Sequence, residues 1–466
     1  MTTILANCPP LEQSVVGFIQ ELKYEHLTPA AHEGIGRLMR DQFALQVGIS
    51  QMPWSQQLLK YATSQQRPGV SRVAASRQTM SALDAAYVNG SYGHGFEYDD
   101  AHGPSESHPG SCVIPAALAI GEELGSSLEE VITAMVAGYE VYSRIGVLAS
   151  PDLLKRGFHP HGTLSNFGAA AVAAKLRGFD AETTLHALAI ALSHTSGTTE
   201  YTSTGGSIKR IHAGIGTRNG MVAADMAQAG ITGPRAPLSG NKGFFKAFLQ
   251  RSPAEDAAER FALDRPFEIA TNWLKAYCAC YCTHAYIDAL RPFAARRSDI
   301  ADVHLKIAPH FNVVVGTANA NAYEPRNIEH VQFSLPIQAA FTLLGLGNGY
   351  AIHRDYLAGK VDMAPVIATA RGIRITEAPE LAQKYPGKFV ADVTITFKDG
   401  SAQHAFVEDP IGTDQNPMPE SEQDAKFMEL TCDVLGAGRA QQLLAALRAM
   451  DRKMLAAELM ALTNPQ

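Results

Sequence analysis

The segment from Asn89 to Pro115, NGSYGHGFEYDDAHGPSESHPGSCVIP, places three histidines, four carboxylates and five glycines between stretches of helical sequence. Folding rarely requires so many ionisable side chains in one place. A Gly/Pro/Ser-rich stretch of this length inside a compact domain is usually either functional or disordered, and the rigid apolar flanks argue against disorder. Its candidates are His94, Glu97, Asp99, Asp100, His102 and His108. A carboxylate beside an imidazole fixes the ring's tautomer and readies it for proton transfer near neutral pH, so the leading chemistry is general acid/base catalysis. Two other readings stand beside it: a metal site built from the same groups, and a structural loop whose carboxylates cap helix starts.

Three further segments carry candidate groups. In KRGFHPHGTLSNFGAAA, His159 and His161 immediately precede a small-residue helix, whose unpaired N–H groups favour a bound anion. The two histidines would then face an acidic substrate, the alternative being ordinary hydrogen-bonded or exposed side chains. In TSTGGSIKRIHAGIGTRNG, Lys209 and Arg210 stand between a Gly/Ser loop and a tightly packing helix, where such residues clamp carboxylates or phosphates unless they are simply solvated. The fourth segment, NWLKAYCACYCTHAYIDAL, holds Lys275, Tyr277, Cys278, Cys280, Cys282 and His284. Its C-x-C-x-C-x-H spacing departs from the common zinc spacings, so buried structural thiols are favoured over a soft metal site or a reactive thiol, and no metal is assigned.

These groups need a frame. From Leu11 to about Phe261 the pattern is helical and rich in Ala and Gly, and in SSLEEVITAMVAGYEVYSRIG Ser127 and Glu130 form a capping box ahead of an apolar stripe. Helices are expected over 164–176, 180–194 and 214–229, the last closed by Gly230. Near residue 270 the character changes. DVHLKIAPHF, HVQFSLPI and KFVADVTITFKDGSAQHAFV show two-residue alternation, Asp399-Gly400 signals a hairpin, and helical pieces fall at about 283–295 and 337–346. After Pro419 helical sequence returns. The expected fold is therefore mainly α: a helical domain over 1–271, a smaller α+β domain over 272–405, and helices over 406–466 that rejoin the first domain, making the second an insertion.

The bulk properties exclude several classes. With 39 basic and 46 acidic residues the formal charge is −7, without the basic excess that nucleic acid or a membrane surface would demand. The beginning of the chain has no signal-peptide pattern, and no window approaches a spanning run of about 18 apolar residues, so a cytoplasmic protein without a membrane partner is expected. Six cysteines in a chain of 466 residues, three of them alternating in YCACYC, do not make a disulfide framework.

The four segments, in this order and spacing, resemble the MmgE/PrpD family of 2-methylcitrate dehydratases, cis-aconitate decarboxylases and iminodisuccinate epimerases. The resemblance runs through SALDAAYVNGSYGHGFEYDD, SHPGSCVIPAALAIGEELG, GFHPHGTLSNFGAAAVAAKLRGFD, SIKRIHAGIGTRNGMVAADMAQAGITGP, KGFFKAF, LKAYCACYCTHAYIDAL and EHVQFSLP. It implies a large helical domain built from both chain ends, a smaller α+β lid, a homodimer, and a small carboxylic-acid substrate handled without an obligatory organic cofactor. By motif, His108 matches the histidine of the family's D-D-x…H-P segment and His159 that of G-[FW]-H. Lys209 matches the lysine before the small-residue helix, and Lys275 the lysine of K-P-Y-P.

Three departures bear on the reaction. Where D-F-D-D-T is common, this chain has Glu97-Tyr98-Asp99-Asp100-Ala101, one methylene longer at the first carboxylate and without the threonine hydroxyl. Cys278 replaces a common proline, and Ile337 stands where tyrosine is frequent. The expectation is a cofactor-independent lyase that removes a proton alpha to a carboxylate and expels water or carbon dioxide from a small di- or tricarboxylic acid. His108 and His159 would act as acid and base, oriented by Glu97 or Asp99. Lys209, Lys275 and Arg210 would balance the enediolate charge, with His161 and Tyr277 completing the substrate contacts. An epimerase is the first alternative, favoured by the lost hydroxyls. A non-catalytic binding protein on the same fold and a metal-dependent hydrolase are the others.

Overall fold

The structure, a computed structural model, describes residues 5–465. It is mainly α with a smaller α+β part. Two units emerge: residues up to Asn272 together with those from Glu420 onward, and the intervening Trp273–Pro419. Residues 406–419, expected among the returning helices, fall in the second unit. Backbone bonds explain this, since Leu274 N donates to Gly412 O at 2.8 Å and Ile411 N donates to Asp288 Oδ2 at 2.7 Å.

In the helical unit the starts are written locally. Thr28, Ser81 and Asp180 cap their helices through side-chain oxygens, and Ser127 and Glu130 form the expected capping box at the head of Leu128–Ala149. Pro160–Leu176 is buried over its whole length except the last turn, so it forms the axis against which Leu128–Ala149, Gly110–Leu124 and Ile208–Gln228 pack. Close crossing requires missing side chains. A methyl at Gly214 would collide with the Tyr87 carbonyl on Ala82–His94, and one at Gly138 with Val172 on Pro160–Leu176.

Two helices begin earlier than their sequence suggests. Ile208–Gln228 starts before Lys209, and Pro160–Leu176 places His161 in its first turn with His159 at the N-cap. Glycines such as Gly162, Gly214 and Gly216 lower helix propensity locally, but inside this bundle they permit close packing, and that wins. The Asn89–Pro115 segment is likewise less of a loop than expected. Asn89–His94 are the last turns of Ala82–His94, and Gly110 opens the next helix. Leu128–Ala149 is also apolar and long enough to cross a membrane, contrary to the expectation from sequence, but 94% of its most apolar window is buried in the fold. Its interior holds an ion pair, Arg144 Nε to Glu140 Oε2 at 2.8 Å.

In the second unit four strands lie in the order Ile373–Glu377, Ile300–Ile307, Ala391–Phe397 and Ala402–Val407. The first pair is parallel and the others antiparallel, with the expected Asp399-Gly400 turn between the last two and Gly400 at φ 84°. Alternate residues of Ile300–Ile307 and Ala391–Phe397 point into a core shared with His284–Leu290 and Leu335–Leu343. HVQFSLPI is not a strand. Asn327 and Ser334 cap two short helices there, Ile328–Gln332 and Leu335–Leu343, with Pro336 in the first turn of the second. Capping and proline chemistry outweigh a brief alternation.

Candidate active site

Gly95–Pro109 joins two helices of the first unit, yet almost all of it is buried. A buried connection must satisfy its own backbone. It does so through backbone and side chain alike: His102 N donates to Ser107 O at 2.8 Å, and His108 Nδ1 to Asp100 O at 2.7 Å. The second bond has a chemical consequence. A carbonyl only accepts, so His108 carries its hydrogen on Nδ1, and Nε2 is the nitrogen with the lone pair that a base would use.

Asp99 is the hub. Its Oδ2 accepts from His94 Nδ1 at 2.7 Å and from Ser111 Oγ at 3.3 Å, and lies 3.9 Å from His108 Nδ1. Ser111 Oγ also meets His161 Nε2 at 3.1 Å, and His161 Nδ1 meets Tyr142 Oη at 2.6 Å. Four imidazoles therefore cluster: His94 is 4.5 Å from His161 and 5.2 Å from His108 by ring centroids, and His159 lies 6.0 Å from His94 and 5.9 Å from His161. A fifth, His212, bonds His159 Nδ1 to Nδ1 at 2.8 Å.

Burial sets the protonation states. Desolvation, followed by the charges His212 and His108 would carry, holds His159 well below the usual histidine range. Desolvation, then His94 and His108, does the same to His161. His212 is lowered to about 4 by desolvation and by Lys209. These rings are neutral at pH 7, the state a base requires.

Glu97 and Lys209 form an ion pair, each side chain about 6% exposed. Lys209 is thus no solvated lysine. Glu97 sits at φ 56°, a left-handed conformation that costs a non-glycine residue about 1–3 kcal/mol and clusters at functional sites. Arg210 donates to the Gly95 carbonyl, and its guanidinium lies 4.0 Å over the Trp54 ring, so it braces the turn that presents Glu97.

Not every candidate joins the cluster. Asp100 accepts from Gly110 N at 3.0 Å and from Gln42 Nε2 at 3.4 Å, and burial followed by the Asp99 charge pushes its carboxyl well up. It thus serves the head of Gly110–Leu124, as the helix-capping alternative anticipated. His102 turns to Glu268 at 3.0 Å and Ser105 at 2.9 Å. In the second unit Lys275 is buried, and Tyr277 donates to Asp288 and accepts from Arg291 Nη1 at 2.9 Å. Cys278 is buried, and Cys280 and Cys282 pack against the second unit's apolar core. Among the described residues no three His, Cys, Asp or Glu side chains are grouped as a metal site would group them.

Beside the cluster, in the same unit, lies a cavity of about 410 Å³ lined by Gly162, Gly197, Thr198, Tyr201, Ile208 and His212 among others. Sequence reasoning did not single out His212, Ser111, Tyr142 or Tyr201. His212 had a signal: it follows Lys209 by one helical turn, on the same face. Tyr142 lies mid-helix and had none.

A buried acid/base cluster on a helical frame, with a separate α+β unit, defines an enzyme-like architecture, and family-level comparison places it. Residues 13–257 match the MmgE/PrpD N-terminal domain and residues 277–452 the MmgE/PrpD C-terminal domain. The chain belongs to the MmgE/PrpD family. Similar proteins include a cis-aconitate decarboxylase of Aspergillus terreus, 27% identical over 86% of this chain and 85% of that protein. A cis-aconitate decarboxylase of Mus musculus is 24% identical over 89% and 85%. One from Homo sapiens is 30% identical over 41% and 42%.

Proposed function

We propose that this chain is a lyase, a dehydratase or decarboxylase acting on a small di- or tricarboxylic acid without an organic cofactor. The observation that carries the reading is the lock on His108, whose Nδ1 is tied to a backbone carbonyl beside Asp99, within a cluster that keeps His159 neutral. In a dehydration, one imidazole takes the proton alpha to a carboxylate while the other protonates the departing hydroxide. In a decarboxylation the carboxylate leaves as carbon dioxide, and an imidazolium or a relayed proton quenches the carbanion. Either intermediate is an enediolate or its allylic counterpart, and cations already in place lower its energy. Lys209 is assigned that role, and Lys275 and Tyr277 are assigned substrate contacts by motif. The relatives named as cis-aconitate decarboxylases support the decarboxylation branch.

A second reading has one observation in its favour: Ala101 and Ile337, both buried, carry no hydroxyl where many family members have one. An epimerase needs two proton-transfer groups and no leaving group. An NMR time course in D₂O with cis-aconitate, citrate, 2-methylcitrate, malate and aspartate-derived dicarboxylates separates the two. A new alkene or decarboxylated product is expected. Deuterium at the alpha carbon without product would establish the epimerase, and inertness toward the whole panel would sink the lyase reading.

A further inference from the structure

His159 and His212 meet through the same ring nitrogen, Nδ1 to Nδ1, at 2.8 Å. Two such nitrogens bond only when one carries hydrogen and the other offers a lone pair, so the pair has two tautomeric arrangements. Both rings are held neutral by burial. Neither Nε2 has a hydrogen-bond partner among the described residues. The two rings thus form a chain with an open nitrogen at each end.

Those ends lie in different surroundings. The His159 ring stands among His94 and His161, at 6.0 and 5.9 Å. The His212 ring is held between Gly162 and Gly197 and lines the cavity of about 410 Å³ under the 196–205 segment. A methyl at Gly197 would sit 3.7 Å from His212 Nε2, so the outer edge of the ring lies against that segment. Tyr201 closes the side, 5.4 Å from His159 and 5.9 Å from His212.

We propose that His159 and His212 form a proton relay linking the histidine cluster to this cavity, so that protons handled at His159 exchange with solvent through His212. The inference rests on the reading that His159 takes part in proton transfer. In the forward direction a substrate proton binds His159 Nε2, the hydrogen on His159 Nδ1 passes to His212 Nδ1, and the hydrogen on His212 Nε2 leaves to water. Each ring ends neutral in its other tautomer. In reverse, a water proton enters at His212 and His159 Nε2 delivers one to the carbanion left by carbon dioxide. His212 is a positioning and relay residue acting through His159.

The test compares wild type, His212→Ala and His212→Asn on a panel substrate. The asparagine amide still reaches His159 Nδ1 but has no second nitrogen to pass a proton on. Both variants should lose about 10–100-fold in kcat with KM within about twofold, less than the roughly 10²–10⁴ of a group that transfers the proton directly, because His212 acts through His159. Imidazole, which fits the cavity, should restore His212→Ala, whereas thiazole, of similar shape but without a transferable hydrogen, should not. Wild-type kcat in His212→Asn, or equal rescue by thiazole, overturns the relay. Should wild type turn over no panel compound, the functional reading fails instead, and the relay is read from ¹⁵N-histidine NMR. His212→Asn should then shift the His159 nitrogens toward a single tautomer, and an unchanged spectrum would refute the pairing.

Discussion

Around Asp99 the helical unit buries His94, Asp100, His102, Ser111 and His161 almost completely, whereas the interior of the smaller unit consists of residues such as Leu305, Ile307, Leu335, Val393 and Ile395. Both regions exclude water, but to different ends. Apolar burial stabilises by roughly 25 cal/mol per Å², while a buried polar group that loses a partner costs about 1–3 kcal/mol. The aliphatic interior therefore secures a fold. The polar one is tolerated because it sets tautomers and protonation states that water would scramble.

The comparison can be broken most forcefully at His108. His108→Ala should reduce kcat/KM by about 10²–10⁴, at a stability cost of only about 1–3 kcal/mol for the Asp100 carbonyl that loses its partner. A large loss of stability instead would make the ring structural. At Lys209, substitution by Met strands the Glu97 charge and should cost about 3–5 kcal/mol in urea unfolding, much of it recovered when Glu97→Gln is added. No recovery in the double variant would dissolve the pair. In the other interior, Leu305→Ala should cost about 2–5 kcal/mol through the cavity it leaves, with kcat/KM of the folded enzyme little changed.

Smaller effects sharpen the contrast. His212, lowered to about 4 from an ordinary value near 6.5, contributes stability that is fully present above pH 6.5 and lost as pH falls toward 4, at most about 3 kcal/mol. His159 and His161 act in the same sense, and the raised carboxyl of Asp100 in the opposite one. The difference between wild type and His212→Asn isolates the first: it should shrink across that window, and a constant difference would refute the neutral ring. Smallest of all, Cys282→Ala should leave kcat/KM within about twofold and stability within about 1 kcal/mol, a range typical of substitutions outside such networks.

Much of the helical frame was legible because capping is local: Ser127 and Glu130 announce their helix within four residues. The hairpin at Asp399-Gly400 was legible for the same reason. Helix starts at Pro160 and Ile208 were not, because glycines that weaken an isolated helix permit close packing in a bundle, a tertiary fact. At the site, residue types and segments could be read, but partners could not. Asp99 and Asp100 are adjacent in sequence, yet one faces the imidazoles and the other the start of a helix. His102 and His108 share a segment and part company, while His212, from a helix far along the chain, closes on His159.

The most direct test of the central claim is the rate at which solvent deuterium enters the alpha position of a tricarboxylate, or of the product formed from it, in wild type and in His108→Ala and His159→Ala at pH 7. The account predicts incorporation by wild type and a loss of at least about 100-fold in both variants, each still folded. Incorporation at the wild-type rate in either variant would contradict it.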